Sequence, residues 1–296
     1  MSLQVRGKLV RFLPLLLVLC LLSLPAWAGH SKEAPAKAGI LLVTFGTSVA
    51  GADSGYAQVE KLVREAFPGV EVRWAYTSHV IRRKLAAQGR VLDSPAMALA
   101  RMGEEGFTAV AVQSLHMIPG EEYDDLVSVA RAMAGLPECP QKIAVGGPLL
   151  VQAADVERVA AAMLESLPRE RRKDEAVVFM GHGSPHPAYA FYPAMQLEFW
   201  KKDPNAFLAT VEGAPSLDEV MAHLKARGLR KAYLVPFMSV AGDHARNDMA
   251  GDEPDSWKSI LTKAGVTCVP VLRGTAEIDA VNRVWVDHLR QAMEEL

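Results

Sequence analysis

The chain has 296 residues, 50% hydrophobic and 22% charged, with 32 Lys and Arg against 34 Asp and Glu for a formal net charge of −2. That balance describes a globular protein and excludes disordered, collagen-like and coiled-coil classes. It offers no electrostatic footing for a nucleic-acid binder, and at about 150 residues per domain the length fits two modules or one large one.

Residues 1–28 read as a secretory signal peptide. Arg6, Lys8 and Arg11 form a positive first region, Phe12 to Leu24 an apolar run broken by Pro14, and Ala26-Trp27-Ala28 a cleavage site with small residues at the expected positions. The apolar run is too short for the ~20 residues that span a bilayer, so the expectation is a periplasmic protein cleaved after Ala28, with no stable membrane insertion. Leu21 and Leu22 continue the run past Cys20 and argue against a lipid-modified cysteine there. The leader carries three basic and no acidic residues, so its loss leaves a mildly acidic chain. Cys139 and Cys268 remain, in a compartment that permits one disulfide.

Residues 29–38 are small and polar and read as a flexible leader to the fold. Short β-type runs then alternate with amphipathic stretches: Ile40 to Phe45, Val70 to Tyr76, Thr108 to Gln113 and Lys142 to Val145, then Ala176 to Met180, Ala206 to Val211, Lys231 to Val235 and Val266 to Val271. Helical patterns in the second half fall at 153–167, 188–202, 216–227, 245–264 and 276–294. Such alternation predicts βαβ units with parallel sheets, here an α/β fold of two Rossmann-like half-domains, residues 39–152 and 153–296, facing a central cleft. The halves also match residue by residue. Phe45-Gly46-Thr47-Ser48 and Met180-Gly181-His182-Gly183-Ser184 each close a first strand, and Gln113 to Glu122 aligns with Val235 to His244 without a gap.

Ligands of open parallel sheets sit beyond the carboxyl ends of the strands. In the second half those places hold His182, Glu212 and His244; in the first they hold Thr47, Thr77-Ser78 and Glu122. Two imidazoles and a carboxylate suit a divalent first-row metal. Pro185 and Pro187 keep His186 off a helix and make it a loop residue near the cleft. Ser184 beside histidines invites a hydrolase reading, but the G-x-S-x-G elbow is absent. No P-loop or dinucleotide fingerprint follows a strand, so no nucleotide is expected. His79, His116, His223 and His288 lie in amphipathic stretches and read as structural or surface residues, with an exposed one of this set the candidate ligand if haem is bound. Arg82-Arg83-Lys84 and Arg246 are either solvated charge or a clamp for carboxylates. Phe191, Tyr192, Met195, Phe199 and Trp200 recur at helical spacing and read first as core.

These motifs resemble the class II tetrapyrrole chelatases, of the sirohydrochlorin cobaltochelatase type. The resemblance rests on Leu42 to Ser48, Thr77-Ser78 with Ile81 to Leu85, Gln113 to His116 with Gly120 to Tyr123, Phe179 to Gly183, Val211-Glu212, and Val240 to Ala250 with Asp255 to Lys258. It implies a two-lobed ferrochelatase-like fold that inserts a divalent metal substrate, Co2+ first and Fe2+ or Ni2+ as alternatives, into sirohydrochlorin or a related tetrapyrrole without ATP. It places the catalytic histidines on His182 and His244, the cleft carboxylate on Glu122, and the glutamate that completes the metal site on Glu212. Arg82, Arg83, Arg246 and Ser184 become candidate substrate-binding residues. The signal peptide departs from a cytoplasmic biosynthetic role and keeps a rival open: a periplasmic haem, tetrapyrrole or metal carrier without turnover. A metal-dependent hydrolase is a third alternative, and a homo-oligomer is compatible with the sequence.

Overall fold

The computed structural model describes residues 37–296 and Ser2; the signal peptide and most of the leader expected from the sequence lie outside the described residues. The first four strands are β1 (Ala38–Thr44), β2 (Glu71–Tyr76), β3 (Ala109–Ser114) and β4 (Lys142–Gly146), and the second four are β5 (Ala176–Gly183), β6 (Ala206–Glu212), β7 (Lys231–Pro236) and β8 (Thr267–Pro270). They form two wholly parallel sheets, in the orders β2-β1-β3-β4 and β6-β5-β7-β8. The order is the same in both, so the repeat visible in the sequence is a repeat of topology. The two-lobed α/β expectation is borne out, with the eight strands within two residues of their expected starts.

The helices are α1 (Ser54–Ala66), α2 (His79–Ala87), α3 (Pro95–Glu104), α4 (Glu121–Met133), α5 (Ala153–Glu165), α6 (Phe191–Lys202), α7 (Leu217–Ala226), α8 (Trp257–Lys263) and α9 (Asp279–Glu294). Hydroxyl caps start several of them. Ser78, Ser94, Ser216 and Ser256 each accept a backbone N–H from the first turn of the helix they precede. One expectation fails: 245–264 is not a single helix. A one-turn π-helix (Ala245–Met249) stops at Gly251, Asp252-Glu253-Pro254 runs irregularly, and α8 begins after the Ser256 cap. Pro254 has no N–H for a helix ladder, and Gly251 is the poorest helix former after proline.

β1 and β5 are buried along almost their whole length, as central parallel strands covered on both faces must be. Their alternating side chains divide between cores. Ile40 and Leu42 of β1, with Val177 and Phe179 of β5, enter one apolar cluster that runs through both lobes. Leu41 and Val43 turn to a separate core on the outer face of the first sheet, and Val178 and Met180 to another behind the second. The shared cluster includes α9, which follows the second sheet in sequence but packs on β3, β4 and α1 of the first. Trp285 of α9 is fully buried there. His288 anchors the helix further, with Nε2 3.3 Å from Asp155 of α5 and Nδ1 3.3 Å from the Gly147 carbonyl. Cys139 and Cys268 are half-buried and not joined. Among the described residues no helix is long and apolar enough to cross a membrane.

Candidate metal and tetrapyrrole site

His182 is the penultimate residue of β5, exposed, with Nδ1 3.1 Å from the Gly183 carbonyl. An N–H donated there leaves the Nε2 lone pair free. Both flanking glycines are required. A Cβ at Gly181 would lie 2.6 Å from the Tyr192 ring, and Gly183 has φ +91° with its missing Cβ directed at the Glu212 carbonyl of β6. The tight β5–β6 edge that carries His182 can form only without those side chains.

His244 lies beyond β7, at the start of the π-helix. Its Nδ1 is 2.5 Å from Asp248 Oδ2, a contact that fixes the ring and again leaves Nε2 for a ligand. The His182 and His244 rings meet edge to face with centroids 4.9 Å apart. Glu212 ends β6, paired in register with Gly183, and is exposed on the same sheet edge. It does not complete a cluster. Among the described residues no three His, Cys, Asp or Glu side chains gather closely enough to hold one ion. The three strand-end residues therefore share an edge, while only the two histidines touch.

The opposite wall comes from the first lobe. Glu122 sits in the first turn of α4, beside Glu121 and Asp124, where the positive end of the helix dipole favours carboxylates. It lines a cavity of about 410 Å³ with Phe45, Thr77, Ser78 and His79. Glu122 is also the charge that bears on two groups, one half-buried and one buried. One is His116, pushed down to about 4 by burial, an effect Glu122 partly opposes. His116 Nδ1 lies 2.8 Å from Ser114 Oγ, and its buried Nε2 has no partner. The other is Tyr192 of α6, pushed up to about 12 by burial and restrained by its hydrogen bond with the Gly183 backbone. The lobes meet beside these groups. His186 accepts the Ala188 N–H at Nδ1, so its Nε2 carries the hydrogen toward Asp124, 3.3 Å away on α4.

The remaining candidates are placed as follows. Ser184 Oγ accepts the His186 N–H at 3.1 Å, which makes it a turn residue of that loop. Arg82 and Arg83 lie on α2; Arg82 is half-buried with an unpartnered Nε, and Arg83 is exposed. Arg246 donates Nε to the Ala241 carbonyl at 3.2 Å. His223 packs between Trp200 and Phe207, a structural position. Sequence reasoning assigned no role to Asp248 and read Tyr192 as core. The spacing of His244 and Asp248, four apart on a helical pattern, was the available signal for the first.

The family described as Cobalt chelatase (CbiK) matches residues 38–294, almost the whole described chain. The chain belongs to the cobalt chelatase (CbiK) family. A sirohydrochlorin cobaltochelatase, CbiKC, of Nitratidesulfovibrio vulgaris is 46% identical over 278 residues, covering 92% of this chain and 98% of that one. The sirohydrochlorin cobaltochelatase of Salmonella typhimurium is 35% identical, over 87% of this chain and 97% of its own length. In fold, the chain is similar to the sirohydrochlorin chelatase SirB of Bacillus subtilis subspecies spizizenii, solved in complex with cobalt. That likeness has a TM-score of 0.59 at 16% identity, covering 88% of this chain and 96% of that one. It concerns the architecture alone: a CbiK-family chain shares the two-lobed chelatase fold.

Proposed function

We propose that this chain inserts Co2+ into sirohydrochlorin, or a closely related tetrapyrrole, without a nucleotide. Membership of the CbiK family supports the reaction class, and the observation that carries the assignment of residues is the His182–His244 pair, 4.9 Å apart at the carboxyl edge of the second sheet. The metal is a substrate. Imidazole and carboxylate donors accept Co2+, Fe2+ and Ni2+ alike, so the choice among them in the cell follows supply as well as ligand type.

Insertion exchanges M2+ for two pyrrole protons, so the site must hold a metal weakly and accept two protons. His182 and His244 can turn their Nε2 atoms onto one ion at the ~2.1 Å of an imidazole–metal bond. Two protein nitrogens make an incomplete coordination shell, which water fills and the macrocycle displaces. Glu212, one strand over, is the carboxylate that rotates in to complete the shell. As the metal passes to the macrocycle, the His182 lone pair is freed and takes one proton. Glu122, facing from the first lobe, takes the other. Arg82, Arg83 and Arg246 supply positive charge toward the acidic periphery of the substrate, and Ser184 holds the His186 loop in place.

The test is visible absorption of the protein mixed with sirohydrochlorin and Co2+. Spectral conversion faster than the uncatalysed rate, lost in His182→Ala and His244→Ala, is the expected result; rates equal to the blank in all three would overturn the assignment.

The apolar leader supports a second reading, an exported protein that carries haem, another tetrapyrrole or a metal without turnover. The N-terminal sequence and mass of the protein from a periplasmic fraction test the export, with Gly29 expected first. A Soret band in the protein as isolated, together with no conversion of sirohydrochlorin, would favour the carrier.

A further inference from the structure

We infer that Phe45 and the cavity it walls form the platform for the macrocycle, with the Phe45 ring stacked on a face of the planar tetrapyrrole. This rests on the proposed function and names the part of the site that binds the organic substrate.

Phe45 follows β1 and is 47% exposed, whereas Phe107, Phe179, Phe199, Phe207 and Phe237 are 2% exposed or less. Its exposure is enforced by the backbone. The Phe45 carbonyl accepts the Ser78 N–H at 3.3 Å, and the Thr44 carbonyl accepts the Thr77 N–H at 2.8 Å, so the turn is tied to the end of β2. The next residue, Gly46, has φ +95°, and a Cβ there would run into the Tyr76 ring. The chain cannot easily rotate Phe45 inward. A ring held open to water in this way is a binding feature when it belongs to a larger apolar surface. Here Val80, also 47% exposed, lines the same cavity, and Pro95 and Leu126 extend the wall.

Position identifies the occupant. A second cavity of about 410 Å³ lies between α7 and α8, near Arg230 and Val266 at the starts of β7 and β8. It is at the wrong end of its sheet for the histidines. The Phe45 cavity is at the strand ends, and Glu122 is part of its wall. Two residues after Phe45, Thr47 packs across the lobes on Gly242, where a Cβ would lie 3.4 Å from Thr47 Oγ1. Gly242 in turn precedes His244 by two residues. At most roughly 7 Å of chain therefore runs on either side of that contact, from Phe45 to Thr47 and from Gly242 to His244. The cavity's own lining comes entirely from the first lobe, so an occupant that also reaches the histidines must extend beyond it, as a broad, flat macrocycle does. A bare cation has no use for an apolar wall, and an aromatic face attracts any planar π system regardless of its peripheral groups.

The experiment is a titration of the protein with metal-free sirohydrochlorin, read by absorbance, for wild type, Phe45→Ala, Phe45→Leu and Phe45→Trp. By analogy with stacked bases, Phe45→Ala should weaken macrocycle affinity about ten-fold or more, and Phe45→Leu nearly as much. Phe45→Trp should retain it, and KM for Co2+ should stay unchanged throughout. Val91→Ala, at a 75% exposed residue outside this wall, serves as the surface control, and unchanged thermal midpoints verify folding. Wild-type affinity in Phe45→Ala would overturn the platform while leaving the chelatase reading intact. Failure of wild type itself to bind or convert sirohydrochlorin would overturn the function and the platform with it.

Discussion

The two lobes share one topology and carry opposite chemistry. Each places its third strand beside its first, and the loops beyond those third strands align residue for residue, so that Glu122 in one lobe stands where His244 stands in the other. In the second lobe the strand edge is stripped to Gly181-His182-Gly183, and two imidazoles lie in contact and open to solvent. In the first lobe the comparable loops hold a carboxylate, an exposed phenyl ring and a half-buried histidine whose Nε2 is shielded from water. A repeated scaffold thus supplies two strand-end edges, and local substitutions give one an imidazole pair and the other a carboxylate beside an exposed ring; under the proposed function these are the metal wall and the macrocycle and proton wall. Backbone geometry is shared because the sheet dictates it; the donor set is free to differ because strand-end loops bear little of the packing.

The largest test of this division is removal of the metal wall. His182→Ala or His244→Ala should lower turnover by roughly 10²–10⁴-fold, the range of a lost positioned acid–base group. Equal losses of metal binding, measured by Co2+ titration, would place both on the ion, whereas loss in only one would break the pairing.

Next is His116, the half-buried histidine of the first lobe. With His116 at about 4 when folded against 6.5 ordinarily, the unfolded chain binds the extra proton between those values. Stability from this group is therefore complete above about pH 6.5, falls as pH drops toward 4, and is flat below. The loss is on the order of 3 kcal/mol. Denaturant unfolding across pH 4–7 should show this slope, and His116→Gln should flatten it. A slope unchanged in the variant would mean that another group is responsible.

Smaller is the contribution of Asp248, which meets His244 at Nδ1, the ring nitrogen turned away from the proposed metal position. Asp248→Ala should weaken Co2+ binding by about 10–100-fold, as loss of a carboxylate behind a ligating histidine does, while leaving the affinity for metal-free macrocycle unchanged. A parallel loss of both would make its role structural. The smallest effect is expected at the bridge between the lobes. Asp124 is 62% exposed where it accepts the His186 Nε2–H, and a hydrogen bond of this kind contributes about 1 kcal/mol, so Asp124→Ala should barely move the thermal midpoint. A shift of many degrees would mean that the lobes depend on this contact.

Much of this was legible in the sequence because it is written in short-range patterns. Unbroken apolar runs such as Ile40-Leu41-Leu42-Val43 mark strands covered on both faces, and the glycines around His182 mark a backbone packed too closely for side chains. Strand-end position then singled out His182, His244, Glu212 and Glu122 as residues of two facing edges. What escaped was either a balance of local signals or a matter of distance. Residues 245–264 keep a helical apolar pattern, and Gly251 with Pro254 overrides it. Asp248 is polar on a helical face, indistinguishable by pattern from solvated charge until His244 is seen against it.

The sequence by itself determined the strands, their alternation with helices, the twofold repeat and the family, since each depends on residues near one another in the chain. Only the tertiary structure decided which of these meet. It brought the His182 and His244 rings into contact while leaving Glu212 on the rim. It docked α9 on the sheet of the opposite lobe and held Phe45 open to water through the Gly46 turn. Side-chain periodicity names the face a residue occupies; the partner across that face comes from packing between segments a hundred or more residues apart, which no local pattern records.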